Sequence, residues 1–197
     1  LITNPRDLPS MVKTMAAWPF TIFCGLNTLF VALCARDDFK ALDFSHMTRT
    51  ISGGMALTRD AATRWKEVTG VEVNEGYGLT ETSPVICVNT LDEGGMALGT
   101  VGRVIDGVTV KIAEDGEILV KGPNVMKGYY KDPKKTTEVM SGEFFHTGDI
   151  GEICEDGFLK ITDRKKDMFK TSGGKYVVPS LIENQLKQSR FIEQVIV

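Results

Sequence analysis

No C-x-x-C pair occurs among the four cysteines, Cys24, Cys34, Cys87 and Cys154, and neither His46 nor His146 stands at ligand spacing from one of them. That pattern argues against a zinc site, and a disulfide scaffold is not expected in a chain of 197 residues. Buried, reduced thiols in a cytosolic protein are the expected state. Charge of one sign is lacking too: 23 Lys+Arg against 26 Asp+Glu leave a formal charge of −3. With no basic field, nucleic acid is not an expected partner. The first residues do not show the basic-then-apolar pattern of a signal peptide. Thr14–Ala35 carries no charge over a length close to the ~20 residues of a spanning helix. Pro19, Gly25 and Asn27 interrupt it, so no membrane span is expected. Hydrophobic residues at 42% and charged residues at 25% exclude a disordered or low-complexity chain, and the length allows one ordinary domain or two small ones.

What the sequence does have is glycine, 20 residues in clusters, set within a regular alternation. Phe20–Cys24 reads as a strand and Asn27–Ala35 as a helix with Asn27 as its N-cap. Thr48–Ser52 is a short strand running into Gly53-Gly54. Thr58–Thr69 is a helix: Thr58 caps it, Ala61, Ala62, Trp65 and Val68 recur at helical spacing, and Gly70 ends it. Val71–Asn74 is the next strand, ending in the turn Gly76-Tyr77-Gly78. Such alternation gives a parallel βαβ sheet with right-handed crossovers. Ligands of these sheets bind beyond the carboxyl ends of the strands. Glycines stand at all three ends (Gly25, Gly53-Gly54, Gly76/Gly78) and predict a cleft there, although any one alone reads as an ordinary turn.

From about Gly99 the pattern changes. Val108–Ile112 and Glu117–Lys121 flank Asp115-Gly116, and Gly151–Cys154 and Phe158–Thr162 flank Asp156-Gly157, both hairpin signals. Between them Asp132-Pro133 opens a short helix. After Arg164-Lys165-Lys166 come a strand over Met168–Thr171, a Ser172-Gly173-Gly174 turn, a helix Leu181–Gln188 behind the capping box Ser180-x-x-Glu183, and a strand from Phe191. The expected fold class is α/β: a parallel βαβ portion over 1–98, a small antiparallel β subdomain over 99–165, and the start of an α+β C-terminal domain over 166–197. The absence of an initial Met and the apolar end Val195-Ile196-Val197 suggest a piece of a longer polypeptide.

Three segments carry chemistry. In Glu75-Gly76-Tyr77-Gly78-Leu79-Thr80-Glu81-Thr82-Ser83-Pro84, a glycine turn presents a ring, hydroxyls and a carboxylate. Tyr77 can stack a base, Thr80 can hydrogen-bond a phosphate and Glu81 can hold Mg²⁺. In Phe145-His146-Thr147-Gly148-Asp149-Ile150-Gly151, read as the mouth of a hairpin, a carboxylate can accept from a ribose diol. In Asp163-Arg164-Lys165-Lys166-Asp167, Arg164 suits ribose or phosphate oxygens. Singly these read as a polar surface turn, an Asp turn and a solvated linker. His46 and His146 read as structural, and Lys165 as solvated.

Together, in this order, they resemble the adenylate-forming superfamily, whose signature is G-Y-G-L-T-E-T, then T-G-D, then D-R-x-K-D followed by S-G-G. The resemblance extends over essentially the whole chain. Ile2–Asp7, Gly25–Phe30, Leu42–Ser45, Val120–Met126 and Ser172–Val177 look closest to bacterial long-chain fatty-acid–CoA ligases. Such enzymes join a carboxylate to ATP, release pyrophosphate, and pass the acyl group from acyl-AMP to CoA, so the implied cofactors and substrates are ATP, Mg²⁺, CoA and a long-chain fatty acid. By this similarity Gly53, Gly54 and Met55 would line the wall against adenine and the acyl chain. Glu75, Gly76 and Tyr77 would frame adenine, Thr80 would contact the α-phosphate, and Glu81 would hold Mg²⁺. Asp149 and Arg164 would hold the ribose hydroxyls, Lys166 would be the hinge of a rotating lid, and Gly173 and Gly174 would flank the CoA channel. A cytoplasmic parent is implied, with peripheral membrane association compatible with a lipid substrate.

Two departures matter. The family's phosphate loop, rich in Ser, Thr and Gly and ending in Pro-Lys-Gly, does not occur in this sequence, and Thr171–Lys175 only imitates it. The family's C-terminal catalytic lysine has no counterpart, since neither Lys175 nor Lys187 sits in the matching motif. The chain alone is therefore expected to be inactive. Alternatives are activation of another carboxylate, a carrier-protein acceptor, or a non-catalytic nucleotide-binding domain. A Rossmann dehydrogenase is excluded because no G-x-G-x-x-G joins a strand to a helix. No motif sets the acyl length or the oligomeric state.

Overall fold

Helix α1 (Leu8–Ala17) starts where the Asp7 carboxylate accepts from Ser10 N at 3.1 Å, and it buries Met11, Val12 and Met15. The computed structural model describes residues 4, 6–167, 169–170, 176–177, 179–186, 192 and 195–196. They form two units that divide between Glu75 and Gly76. In the first unit, β1 (Ile22–Gly25), α2 (Asn27–Cys34), α3 (Asp37–Lys40), β2 (Arg49–Ser52) and α4 (Arg59–Thr69) precede β3 (Val73–Tyr77). The strands are parallel, with Phe23 beside Thr50 and Thr50 beside Val73, and all three are buried. Trp65 of α4 fills the core, its ring centroid 5.1 Å from that of Phe23 and 4.7 Å from that of Phe30. Its indole Nε1 donates to Thr50 Oγ1 at 2.9 Å, which removes the ~1–3 kcal/mol cost of a buried, unpaired donor.

Thr58 caps α4 through Ala61 N, and Gly70 closes it at φ 76°. Asn27 is not the cap expected for α2. Leu26 flanks the helix, and the Asn27 Oδ1 accepts from Thr58 N at 2.8 Å and Thr58 Oγ1 at 3.0 Å, tying the starts of α2 and α4 together.

The expected turn at Gly76-Tyr77 also starts later. Both residues belong to β3, where they pair antiparallel with β4 (Cys87–Val88), which in turn pairs with β5 (Arg103–Val104). The chain folds back only at Gly78, where a Cβ would lie 1.5 Å from the Pro84 carbonyl oxygen, so no other residue fits.

The antiparallel sheet follows. β6 (Thr109–Ile112) and β7 (Glu117–Lys121) form the first hairpin. Helix α5 (Pro133–Val139) is capped by Asp132 with Pro at its first turn. β8 (Met140–Ser141), β9 (Phe144–Ile153) and β10 (Leu159–Arg164) complete a sheet of order β10-β9-β7-β6, with β8 beside β9. Tyr77, Ile86, Cys87, Val101, Ile118, Val120 and Leu159 form its core. The T-G-D segment is not a turn at a hairpin mouth: it lies inside the ten-residue strand β9. Leu119 pairs with His146 but Glu117 pairs with Ile150, so β9 carries two extra residues in a bulge. Gly148, at φ 73°, supplies the left-handed conformation this bulge needs.

Beyond β10, a 3-10 turn (Lys165–Asp167) precedes β11 (Phe169–Lys170), antiparallel to β12 (Tyr176–Val177), and α6 (Pro179–Leu186). The last helix begins two residues before Leu181, with Ser180 inside it, because Pro suits a first helical turn. Met168, Thr171–Lys175 and most of the strand expected from Phe191 lie outside the described residues. Among the described residues no helix is long and apolar enough to cross a membrane.

Candidate functional site

In the first unit, Gly53 and Gly54 follow β2, and Gly54 alone of the predicted corner glycines adopts a left-handed φ, at 83°. Met55 beside it is exposed. Ser52, the last residue of β2, is the register partner of Glu75 in the middle of β3. The Glu75 carboxylate is buried and accepts from Leu57 N at 3.1 Å. Burial, only partly offset by that bond, pushes its pKa up to about 7.

In the second unit the turn after Gly78 is a 3-10 helix (Thr80–Thr82). Buried Thr82 pins it: its Oγ1 accepts from Leu79 N at 2.9 Å and lies 3.0 Å from the Leu79 carbonyl. Thr80 is thereby left exposed and Glu81 half-buried. Tyr129 OH donates to Glu81 Oε1 at 2.9 Å, and Met126 N donates to the Glu81 carbonyl at 2.7 Å. Lys135 Nζ stands 4.4 Å from the Tyr129 ring centre, a cation–π contact. Tyr129 was not singled out from sequence.

Tyr77, Asp149 and Arg164 are brought together. The Tyr77 ring is part of the core, and its hydroxyl donates to Asp149 Oδ2 at 2.7 Å. Arg164 Nε lies 2.9 Å from Asp149 Oδ1, with the guanidinium side chain still 56% exposed. Burial raises the Asp149 pKa, against the pull of Tyr77 and Arg164. Burial likewise raises that of Tyr77, and the Asp149 charge adds to it.

A second cluster lies alongside. Buried Glu117 accepts from Gly148 N at 3.0 Å, from His146 Nδ1 at 2.8 Å and from Lys165 Nζ at 2.7 Å. Lys165 Nζ also lies 2.7 Å from Asp115 Oδ2. Lys165 is thus ion-paired, not simply solvated, and His146 has a carboxylate partner across the sheet. Neither partnership shows as a spacing: the register of β7 with β9 sets His146 near Glu117, and the pairing of β10 with β9 delivers the turn that carries Lys165.

A cavity of about 380 Å³ within this unit is lined by Glu81, Tyr129, His146, Gly148, Arg164 and Lys165, among others. That is within the range of small-ligand sites. Thus Glu81 and Arg164, from different sequence motifs, face one space. Lys166 is exposed on the 3-10 turn, whereas Gly173 and Gly174 lie outside the described residues. Among the described residues no three His, Cys, Asp or Glu side chains form a metal cage. Mg²⁺ commonly takes one or two protein carboxylates and completes its shell with substrate phosphates and water, and Glu81 fits that use.

Residues 1–130 match the family described as AMP-binding enzyme. A long-chain-fatty-acid–CoA ligase of Salmonella typhimurium is 42% identical over 99% of this chain, which spans 36% of that relative's length. Among solved structures, an anthranilate–CoA ligase in complex with anthranoyl-AMP superposes over 100% of this chain and 40% of its own, at TM-score 0.89 and 26% identity. An amide bond synthetase from Marinactinospora thermotolerans superposes over 97% of this chain and 40% of its own, at TM-score 0.83 and 26% identity.

Proposed function

The chain belongs to the AMP-binding enzyme family, and on that premise we propose that it is part of a long-chain fatty-acid–CoA ligase. The parent would join a fatty acid to ATP, giving acyl-AMP and pyrophosphate, and then transfer the acyl group to the CoA thiol, releasing AMP. The observation that carries the nucleotide chemistry is the cavity of the second unit, where Glu81 and Arg164 meet beside the Gly148 bulge. Similarity to the long-chain ligases supports the choice of acid.

In this reading Asp149, ionised and held by Tyr77 and Arg164, accepts from the ribose hydroxyls. The remaining guanidinium donors of Arg164 reach ribose oxygens. Thr80, exposed on its pinned turn, donates to the α-phosphate. Glu81, oriented by Tyr129, is the carboxylate that would hold Mg²⁺. Held there, the ion would supply neutralisation of the charge that builds as pyrophosphate leaves. Glu75, Gly76 and Tyr77 would frame adenine, and Gly53, Gly54 and Met55 would face adenine and the acyl chain. Lys166 would be the hinge of the lid that begins at 166 and keeps water from the adenylate. Gly173 and Gly174 would flank the CoA channel. The proposal places the parent in the cytoplasm, with peripheral membrane association suited to a lipid substrate.

The test is thioester formation by the full-length parent with palmitate, acetate, benzoate and an amino acid. Palmitate is expected to give the highest kcat/KM. Preference for an aryl or amino acid, or transfer to a carrier-protein thiol or amine in place of CoA, would overturn the assignment.

A further inference from the structure

Glu117 opens β7, a strand whose next residues, Ile118 and Val120, pack the core. Its carboxylate is 3% exposed, where an apolar side chain would be expected. A buried ion pair is weak evidence for stability, since apolar replacements are often as stable. The contacts of Glu117 offer a different use. An ionised carboxylate only accepts hydrogen bonds, and its three partners, Gly148 N, His146 Nδ1 and Lys165 Nζ, all donate. His146 therefore carries a proton on Nδ1. Burial opposes ionisation of Glu117, but Lys165, His146 and Gly148 together hold its pKa below the ordinary value.

These contacts close a ring. Glu117 binds Gly148, and Gly148 is bonded to Asp149. Asp149 pairs with Arg164 in both strand register and ion pair. Arg164 is bonded to Lys165, and Lys165 returns to Glu117. Any ligand that engages Asp149 and Arg164 acts on the ring that fixes Lys165, and the next residue is Lys166.

We propose that Glu117 is a positioning residue that ties the Gly148 bulge to the turn carrying Lys166, so that occupation of the nucleotide site and the state of that turn are coupled through one carboxylate. The inference rests on reading Asp149 and Arg164 as nucleotide contacts and Lys166 as the hinge. Neither Glu117 nor Lys165 need touch the reacting atoms. Glu117 fixes where Asp149 points, and Lys165 confines rotation to bonds that follow it.

Hydrogen–deuterium exchange on this chain, with and without a non-hydrolysable palmitoyl-adenylate analogue, tests it. In the wild type the analogue is expected to slow exchange over both 146–149 and 164–167. Glu117→Gln replaces an acceptor oxygen with a donor. In that variant without ligand, Gly148 should exchange roughly tenfold faster, as a loss of ~1.4 kcal/mol gives. The analogue should then protect 146–149 but not 164–167. Lys165→Met should keep Gly148 slow and lose only the protection over 164–167. Wild-type protection of both segments in either variant would overturn the coupling, and if Glu117→Gln does not fold, Lys165→Met alone decides. An analogue that fails to bind the wild type would count against the functional reading. The ligand-free comparison would still judge the positioning role, which an unchanged Gly148 rate in Glu117→Gln would overturn.

Discussion

At the residue scale, Glu75 is a buried source of pH dependence in the first unit. Burial lifts this carboxyl from its ordinary 4.5 to about 7, so the folded chain favours the protonated form more than the unfolded chain does. The stabilisation from this group is fully present below 4.5 and is lost as pH rises through about 7. A shift of that size amounts to roughly 3 kcal/mol between the two limits. Carboxylates with depressed pKa values, such as Asp115 and Glu117, act in the opposite sense, so the comparison must be between variants. Glu75→Gln keeps an acceptor for Leu57 N and removes the titration. Denaturant unfolding at pH 5 and pH 8 should show the variant gaining stability over the wild type as pH rises. Parallel wild-type and variant profiles would contradict the burial argument.

At the scale of elements, two glycines work by different physics. Gly148 sits at φ 73° with nothing within 4 Å of a Cβ, so Gly148→Ala meets only the left-handed penalty, about 1–2 kcal/mol. Gly78 has an ordinary φ, but its Cβ would strike the Pro84 carbonyl, so Gly78→Ala must move backbone and cost more. Equilibrium unfolding of both variants checks the order, and equal losses would refute it. The elements themselves were largely legible: Thr58, Gly70 and the Asp132-Pro133 pair mark helix ends by local chemistry, and the structure keeps them. Less legible were features set by pairing between distant strands. The T-G-D segment carries turn residues, yet β7 and β10 hold it in a long bulged strand. Asn27 has the chemistry of a cap, but a partner 31 positions away claims its side chain.

At the scale of the whole molecule, the three motifs pointed to Glu81, Asp149 and Arg164, and the second unit places Asp149 against Arg164 and sets Glu81 and Arg164 around one cavity. Tyr129, Glu117 and Lys165 complete that surrounding by tertiary hydrogen bonds that no local spacing reveals. The sequence contains no Ser/Thr/Gly-rich loop ending in Pro-Lys-Gly, so this chain should hold an adenylate without making one. Substrate-dependent ATP–pyrophosphate exchange is expected to be undetectable with the chain alone, and measurable exchange would contradict that. The most direct measurement is calorimetric titration of the chain with the non-hydrolysable palmitoyl-adenylate analogue, beside Asp149→Ala. The account predicts saturable binding that the variant loses. An absence of binding, or equal binding by both proteins, would contradict the claim that the bulge of β9 and Arg164 form a working half-site.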